Sequence, residues 1–243
     1  MISKLLTDNC PISKLLGENC EKAHAKRERR KEARPGELLA AALELFVEKG
    51  YAATKSEEVA RRAGVSKGTL FLYFVSKEEL FNAVIRENIA GRFPEWQAEF
   101  DAYTGSTEDL LRHFMLMWWQ RVGSTKVGGI TKLMMSEASN FPELAAFYQK
   151  EVIEPGHALV RSLLQRGVDR GEFRLIDMKY GVYIVLAPMI FLMTWEHSLG
   201  ACNSSGDTTL DPKTYLMTQA NVILHGLCQP APAASSTTKK ITT

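Results

Sequence analysis

Between residues 54 and 74 stand side chains whose types and spacing suit contact with a phosphate backbone: Thr54-Lys-Ser-Glu-Glu-Val-Ala-Arg-Arg-Ala-Gly-Val-Ser-Lys-Gly-Thr-Leu-Phe-Leu-Tyr-Phe74. Gly64-Val65 predicts a tight turn between two short helices, because glycine reverses the chain without a Cβ clash. Ser66 is placed to cap the second helix, so that its first backbone N–H groups can face an anion. Lys67, Gly68 and Thr69 then stand at the exposed start, where a helix-turn-helix sets residues against base edges. Gly68 lets the helix approach closely, Lys67 supplies a donor, and Thr69 supplies a donor-acceptor. Val59, Val65, Leu70 and Phe74 fall on the opposite face and hold the two helices together.

Upstream, residues 22–34 add a dense basic cluster of Lys22, Lys26, Arg27, Arg29, Arg30, Lys31 and Arg34. Such a cluster attracts phosphates through counterion release, although a solvated charged tail looks the same in isolation. Over the whole chain 30 Lys+Arg face 28 Asp+Glu, a balance too even to identify partners. A length of 243 residues, 45% hydrophobic and 24% charged, fits a globular protein and excludes wholesale disorder. No HExxH, Walker loop or GxGxxG occurs, and the five histidines are scattered without ligand spacing. The expectation is a non-enzyme without cofactor or metal. The cysteines form no CxxC pair, and the first ten residues lack a continuous apolar stretch, which points to a reducing cytoplasm. Residues 180–195 are uncharged but shorter than the ~20 a spanning helix needs, and they contain Pro188; a buried helix is predicted.

The elements that must position this motif are helical. Leu39, Leu43, Phe46 and Val47 share a face that ends at Gly50. Ser76-Lys-Glu-Glu79 is a capping box opening a helix that carries Leu80, Phe81, Val84 and Ile85. Further helices are predicted at 108–122, 130–138, 142–167 with a break at Pro155-Gly156, 178–199 and 212–227. Pro142 and Pro212 suit first-turn positions. No alternating run suggests a strand, so the fold class is all-α with about nine helices. The first twenty residues contain a near-duplication, Ile2 to Cys10 recurring as Ile12 to Cys20, too short for a solenoid. The expected division is 1–31 as a disordered basic extension, 32–92 as the DNA-binding domain, 93–229 as a larger helical domain, and 230–243 as a disordered tail.

The motif, with its flanking helices, resembles the DNA-binding domain of the TetR/AcrR family of transcription regulators. The likeness rests on Ala42-Leu-Glu-Leu-Phe46, Gly50-Tyr51, Thr54, Val59-Ala60, Ala63-Gly-Val-Ser66, Gly68-Thr-Leu70, Tyr73-Phe74 and Ser76-Lys-Glu78. It is weaker in Glu137…Asn140-Phe-Pro-Glu-Leu144 and Gly167…Arg170-Gly-Glu172, which are similar to one type of family C-terminal domain. The resemblance implies DNA contacts from Thr54 and Lys55 at the start of the first motif helix. It implies the same of Ser66, Lys67, Gly68 and Thr69 on the recognition helix, of Tyr73 through its hydroxyl, and of Lys77 near the backbone. Phe71 stands where the family usually has Tyr, so one hydroxyl contact is missing. Leu72 stands where a polar or basic residue is frequent, which narrows the set of bases read directly.

The resemblance also implies a larger domain that binds a small molecule and forms a homodimer through the last two long helices, here 178–199 and 212–227. Aromatic and Met residues on the central helices suit an adaptable apolar site: Phe114, Met115, Met117, Trp118, Trp119, Met134, Met135, Phe147, Tyr148 and Met189, with Glu137 or His113 to orient a polar group. Ordinary core packing accounts for any one of them equally well. A repressor released from a palindromic operator by a small apolar or amphipathic ligand is the expectation, against a constitutive DNA-binding regulator or a membrane-associated helical protein using residues 180–195.

Overall fold

The computed structural model describes residues 35–200 and 210–228. The duplicated segment, the basic cluster at 22–34 and the tail from 229 lie outside the described residues. Two compact units divide between Val84 and Ile85, whereas the sequence suggests a division at 92/93.

In the first unit, α1 (residues 35–53), α2 (Ser56–Arg62), α3 (Lys67–Phe71) and the first turns of α4 (Lys77–Asn88) enclose one small core. Leu38, Leu45, Phe46, Val59, Leu70, Leu80 and Phe81 are buried in it. Its centre is aromatic, with Phe81 edge-on to Phe46 at 5.0 Å and to Tyr51 at 5.2 Å, an arrangement that adds to area burial. Gly64, at φ 67, makes the turn between α2 and α3 in a conformation that only glycine adopts cheaply. Ser76 caps α4 by accepting the Glu79 N–H at 3.0 Å, and Glu79 reaches back to the Val75 N–H at 2.6 Å. The capping box therefore closes one residue earlier than its usual form.

The second unit holds the end of α4, then α5 (Phe93–Ala102), α6 (Thr107–Trp118), α7 (Lys126–Glu137), α8 (Pro142–Tyr148), α9 (Glu154–Asp169), α10 (Met178–Glu196) and α11 (Pro212–Leu227). Here α6 packs on α9 and α11, while α10 lies against α7, α9 and α11. Among the described residues the only β feature is an isolated bridge between Phe173 and Cys228. The chain is all-α, as its periodicity predicts.

Three differences from the sequence expectation have physical causes. First, α4 stops at Asn88, and a 3₁₀ turn (Ala90–Arg92) leads into α5, which begins around Pro94. A Cβ at Gly91 would lie 2.9 Å from the Arg86 carbonyl oxygen, so the tight link needs glycine. Second, Pro155 does not break the chain: α8 continues through a π turn (Gln149–Ile153) into α9. The widened turn accommodates the N–H that proline lacks. Third, α10 is buried on one face only. Val182, Val185, Met189, Leu192 and Met193 point inward, while Tyr180, Tyr183, Ile184 and Phe191 are exposed. Pairwise apolar packing covers half of this helix and leaves the other half for water or a partner.

The Arg170-Gly-Glu172 segment has a structural task. Gly171, at φ 68, turns the chain, and the Glu172 carboxylate accepts the Thr107 N–H at the start of α6, 2.5 Å away. Burial opposes its ionisation, but the bonds from Thr107 and the nearby Arg170 outweigh this and hold the carboxyl below its usual range.

Candidate functional site

The first candidate site is the outer face of α3. Ser66 takes an extended backbone (φ −75, ψ 155) and its Oγ accepts the Thr69 N–H at 3.1 Å. The Ser66 and Thr69 hydroxyls are themselves 2.9 Å apart. Gly68 is exposed, and a Cβ there would meet only Ser66 Oγ at 3.7 Å, so nothing within this unit demands glycine. Lys67 Nζ lies 2.5 Å from Glu57 Oε1, with both side chains about half exposed. That hydrogen bond holds the Glu57 carboxyl below its usual range. Behind this face α2 is tied to α1 by Arg62–Glu48 and Lys49–Glu58 contacts, each 2.8 Å. These exposed pairs orient α2 and add little stability.

The second is a partly open cavity in the C-terminal unit, of about 840 Å³. Its walls come from α5 (Phe93, Trp96), α6 (Phe114, Trp118), α7, α8, α9 and α10, and from the π turn at Gln149–Ile153. Among the described residues, no Asp, Glu, Lys or Arg lines it. Its polar groups are few. Thr131 Oγ1 and Tyr148 Oη lie 2.7 Å apart, and burial pushes the Tyr148 phenol up to about 12, so it stays neutral. His157 stands edge-on to Tyr183 at 5.1 Å, and burial, with Arg161 adding to it, lowers its pKa. Such a wall accepts an apolar body and offers neutral hydrogen bonds to a polar group.

Comparison with known proteins joins the two sites. Residues 38–84 match the family described as bacterial regulatory proteins, tetR family, and residues 102–198 match the tetracyclin repressor-like C-terminal domain. The chain belongs to the TetR family. This TetR-family protein is a DNA-binding transcriptional regulator. It is 25% identical over 156 residues to the uncharacterized HTH-type transcriptional regulator YdeS of Bacillus subtilis, covering 63% of this chain and 75% of that protein. It is 26% identical over 170 residues to the fatty acid metabolism regulator protein of Bacillus subtilis, covering 67% and 80%. Its fold matches the crystal structure of FadR from Bacillus subtilis in complex with stearoyl-CoA, with a TM-score of 0.65 at 21% identity, covering 78% and 97%.

Within this TetR-family regulator, the predicted DNA-contact residues fall into two groups. Lys55, Ser66, Lys67 and Gly68 are exposed; Thr69 and Tyr73 are half-buried. Thr54 and Lys77 are turned elsewhere. Thr54 is 1% exposed and its hydroxyl donates to the Gly50 carbonyl at 2.7 Å and the Leu45 carbonyl at 3.1 Å. Lys77 Nζ donates to the Tyr51 carbonyl at 2.9 Å and the Ala52 carbonyl at 3.3 Å, above the Tyr51 ring at 4.4 Å. Both close the C-terminus of α1, where free carbonyls attract donors and positive charge. Of the predicted ligand residues, Phe114, Trp118, Met134, Met135 and Tyr148 line the cavity. Met115, Trp119, Glu137, Phe147 and Met189 do not. Met115 and Met189 are fully buried core, Phe147 lies under the Arg86 guanidinium at 4.8 Å, and Glu137 accepts a bond from Asn140 at 3.1 Å, closing α7. His113 is engaged with Glu99 at 2.9 Å on the surface. Among the lining residues absent from the predicted set are Phe93, Trp96, Thr131, His157 and Tyr183. Their signal was the same aromatic density, spread over helices that sequence alone could not face inward.

Proposed function

We propose that this regulator is a homodimeric repressor released from a palindromic operator by an apolar or amphipathic ligand, of which a long-chain acyl group is the favoured type. The observation that carries the ligand class is the cavity of about 840 Å³, without one charged lining side chain among the described residues. Its neutral Thr131–Tyr148 pair and His157 suit the polar end of an amphipathic molecule. The relative named for fatty acid metabolism and the stearoyl-CoA complex of a protein with the same fold support an acyl chain. The exposed apolar residues Tyr180, Ile184 and Phe191 on α10 and Val222 on α11 support a homodimer through the last two long helices. DNA contact is assigned to Lys55, Ser66, Lys67, Gly68, Thr69 and Tyr73, with Thr54 and Lys77 positioning α2 and α4. A cytoplasmic location goes with this reading.

Release works through spacing. Two recognition helices must sit about one DNA turn apart, ~34 Å, to enter successive major grooves. A ligand that prefers a dimer with another spacing moves the population away from DNA; turning a 1:99 mixture to 99:1 needs ~10⁴-fold preference. α4 is the structural lever, since it begins in the unit that carries α3 and ends beside Ile89, which lines the cavity. Fluorescence anisotropy of a labelled operator duplex, titrated with stearoyl-CoA and separately with free stearate, tests the proposal. Loss of binding with either supports it. Binding that neither these nor shorter apolar ligands disturb leaves the constitutive reading.

A further inference from the structure

We infer that Phe71 and Leu72 read thymine methyl groups, so that this regulator selects T·A pairs at fixed operator positions by apolar contact. The inference rests on the DNA-binding reading of α3 and concerns which bases that helix prefers. Among the described residues of the N-terminal unit, the exposed large apolar side chains are Phe71, Leu72 and Val75, at 37%, 83% and 79% exposure. A single exposed leucine is ordinary on any protein. Three within five positions, on and just after the helix that faces DNA, form a patch.

The opposite face of this segment, α3 and the turn after it, is fully used, with Leu70 at 0% and Phe74 at 8% exposure. The outer face is divided along its length. Its start carries the Ser66 and Thr69 hydroxyls and the Lys67 ammonium, groups that bond phosphates and base edges. Its end carries Phe71 and Leu72, whose side chains can neither donate nor accept. Lys67 Nζ lies 5.7 Å from the Phe71 ring centroid, so a phosphate-seeking charge borders the apolar patch directly. The patch thus continues the DNA-facing surface.

The major groove offers such side chains one apolar group, the C5 methyl of thymine. A polar base edge pressed against Leu72 would lose water and gain no bond. Selection at these positions therefore has an attractive part, methyl burial, and a repulsive part, desolvation of G·C edges.

The test uses the full chain and duplexes that the wild-type protein recovers from a random pool. Each thymine of a recovered duplex is replaced in turn by deoxyuridine, which removes the methyl and leaves base pairing intact. Affinity is expected to fall about fourfold at each methyl read by the patch, the scale of one buried carbon. Leu72→Ala and Phe71→Ala should each abolish the uracil penalty at one position, and Leu72→Met should retain it. A wild-type protein indifferent to every uracil substitution overturns the inference, and this arm needs no variant to fold. So does a uracil penalty that persists undiminished in both alanine variants. A pool yielding no preferred sequence overturns the operator reading and the methyl reading together, and it is recognised before any uracil is introduced.

Discussion

On the outer face of α3 the functional groups stand in water and are placed by hydrogen bonds, Ser66 to the Thr69 N–H and Lys67 to Glu57, whereas around the cavity they are placed by packing and carry no charge. The two regions therefore fail differently. A surface held by short local bonds can be edited one residue at a time, because each bond contributes about 0.5–1.5 kcal/mol. A cavity wall shares its side chains with the core, so a truncation there alters both ligand space and stability.

The sharpest way to separate the regions is Phe81→Ala. It removes the ring that touches both Phe46 and Tyr51, and it should cost about 3–5 kcal/mol in the N-terminal unit. Operator binding should be lost while ligand still binds the C-terminal unit, as read by calorimetry; loss of both would show that the units unfold together.

Next come methionines on either side of the cavity wall. Met189 is core, so Met189→Ala should lower stability by about 2–5 kcal/mol and show as a lower Tm. Trp118→Ala and Met135→Ala alter the lining and should shift the ligand concentration needed for release, leaving ligand-free operator affinity near wild type. If both variants respond like wild type, or both lose operator binding without ligand, the cavity is not the sensing site.

On the surface the effects are smaller. Thr69→Ala should relax preference at one operator position at a cost of about 1–3 kcal/mol, whereas Lys67→Ala should weaken all sequences alike and flatten the salt slope. An unchanged preference profile for Thr69→Ala would remove its assigned role.

The smallest expected effect is the pH response of His157. Its pKa is lowered in the folded state by burial and by Arg161, so below the ordinary value of 6.5 the unfolded chain takes up the proton first. Stability from this group is complete above that value and declines as pH falls from there toward the folded pKa. Thermal melts between neutral and mildly acidic pH should show a shallower decline in His157→Gln than in wild type.

Much of this was written in local sequence. Gly64, Ser66 and Thr69 act on neighbours within a few positions, so turn and cap chemistry predicts them without a fold. The helix periods and the apolar face of Leu70 and Phe74 are equally local. Thr54 and Lys77 were not legible in this way, because their acceptors are carbonyls of α1, four and nine positions from Thr54 and 26 from Lys77. Matching the family motif fixes where such residues stand along the chain; packing fixes whether they face DNA or the neighbouring helix.

The cavity shows the limit most clearly. The richness in Met and aromatic residues determined that an apolar core or pocket would form, since these side chains gain by leaving water. It did not distinguish Tyr148, which lines the cavity, from Phe147, which lies under Arg86. Consecutive residues on a helix point about 100° apart, and the π turns at Trp119–Gly123 and Gln149–Ile153 shift that phase further. The sequence by itself determined an all-α chain with a helix-turn-helix and an apolar interior. Which side chains surround the cavity depended on how six helices rotate against one another, and that balance of contacts exists only once they have packed.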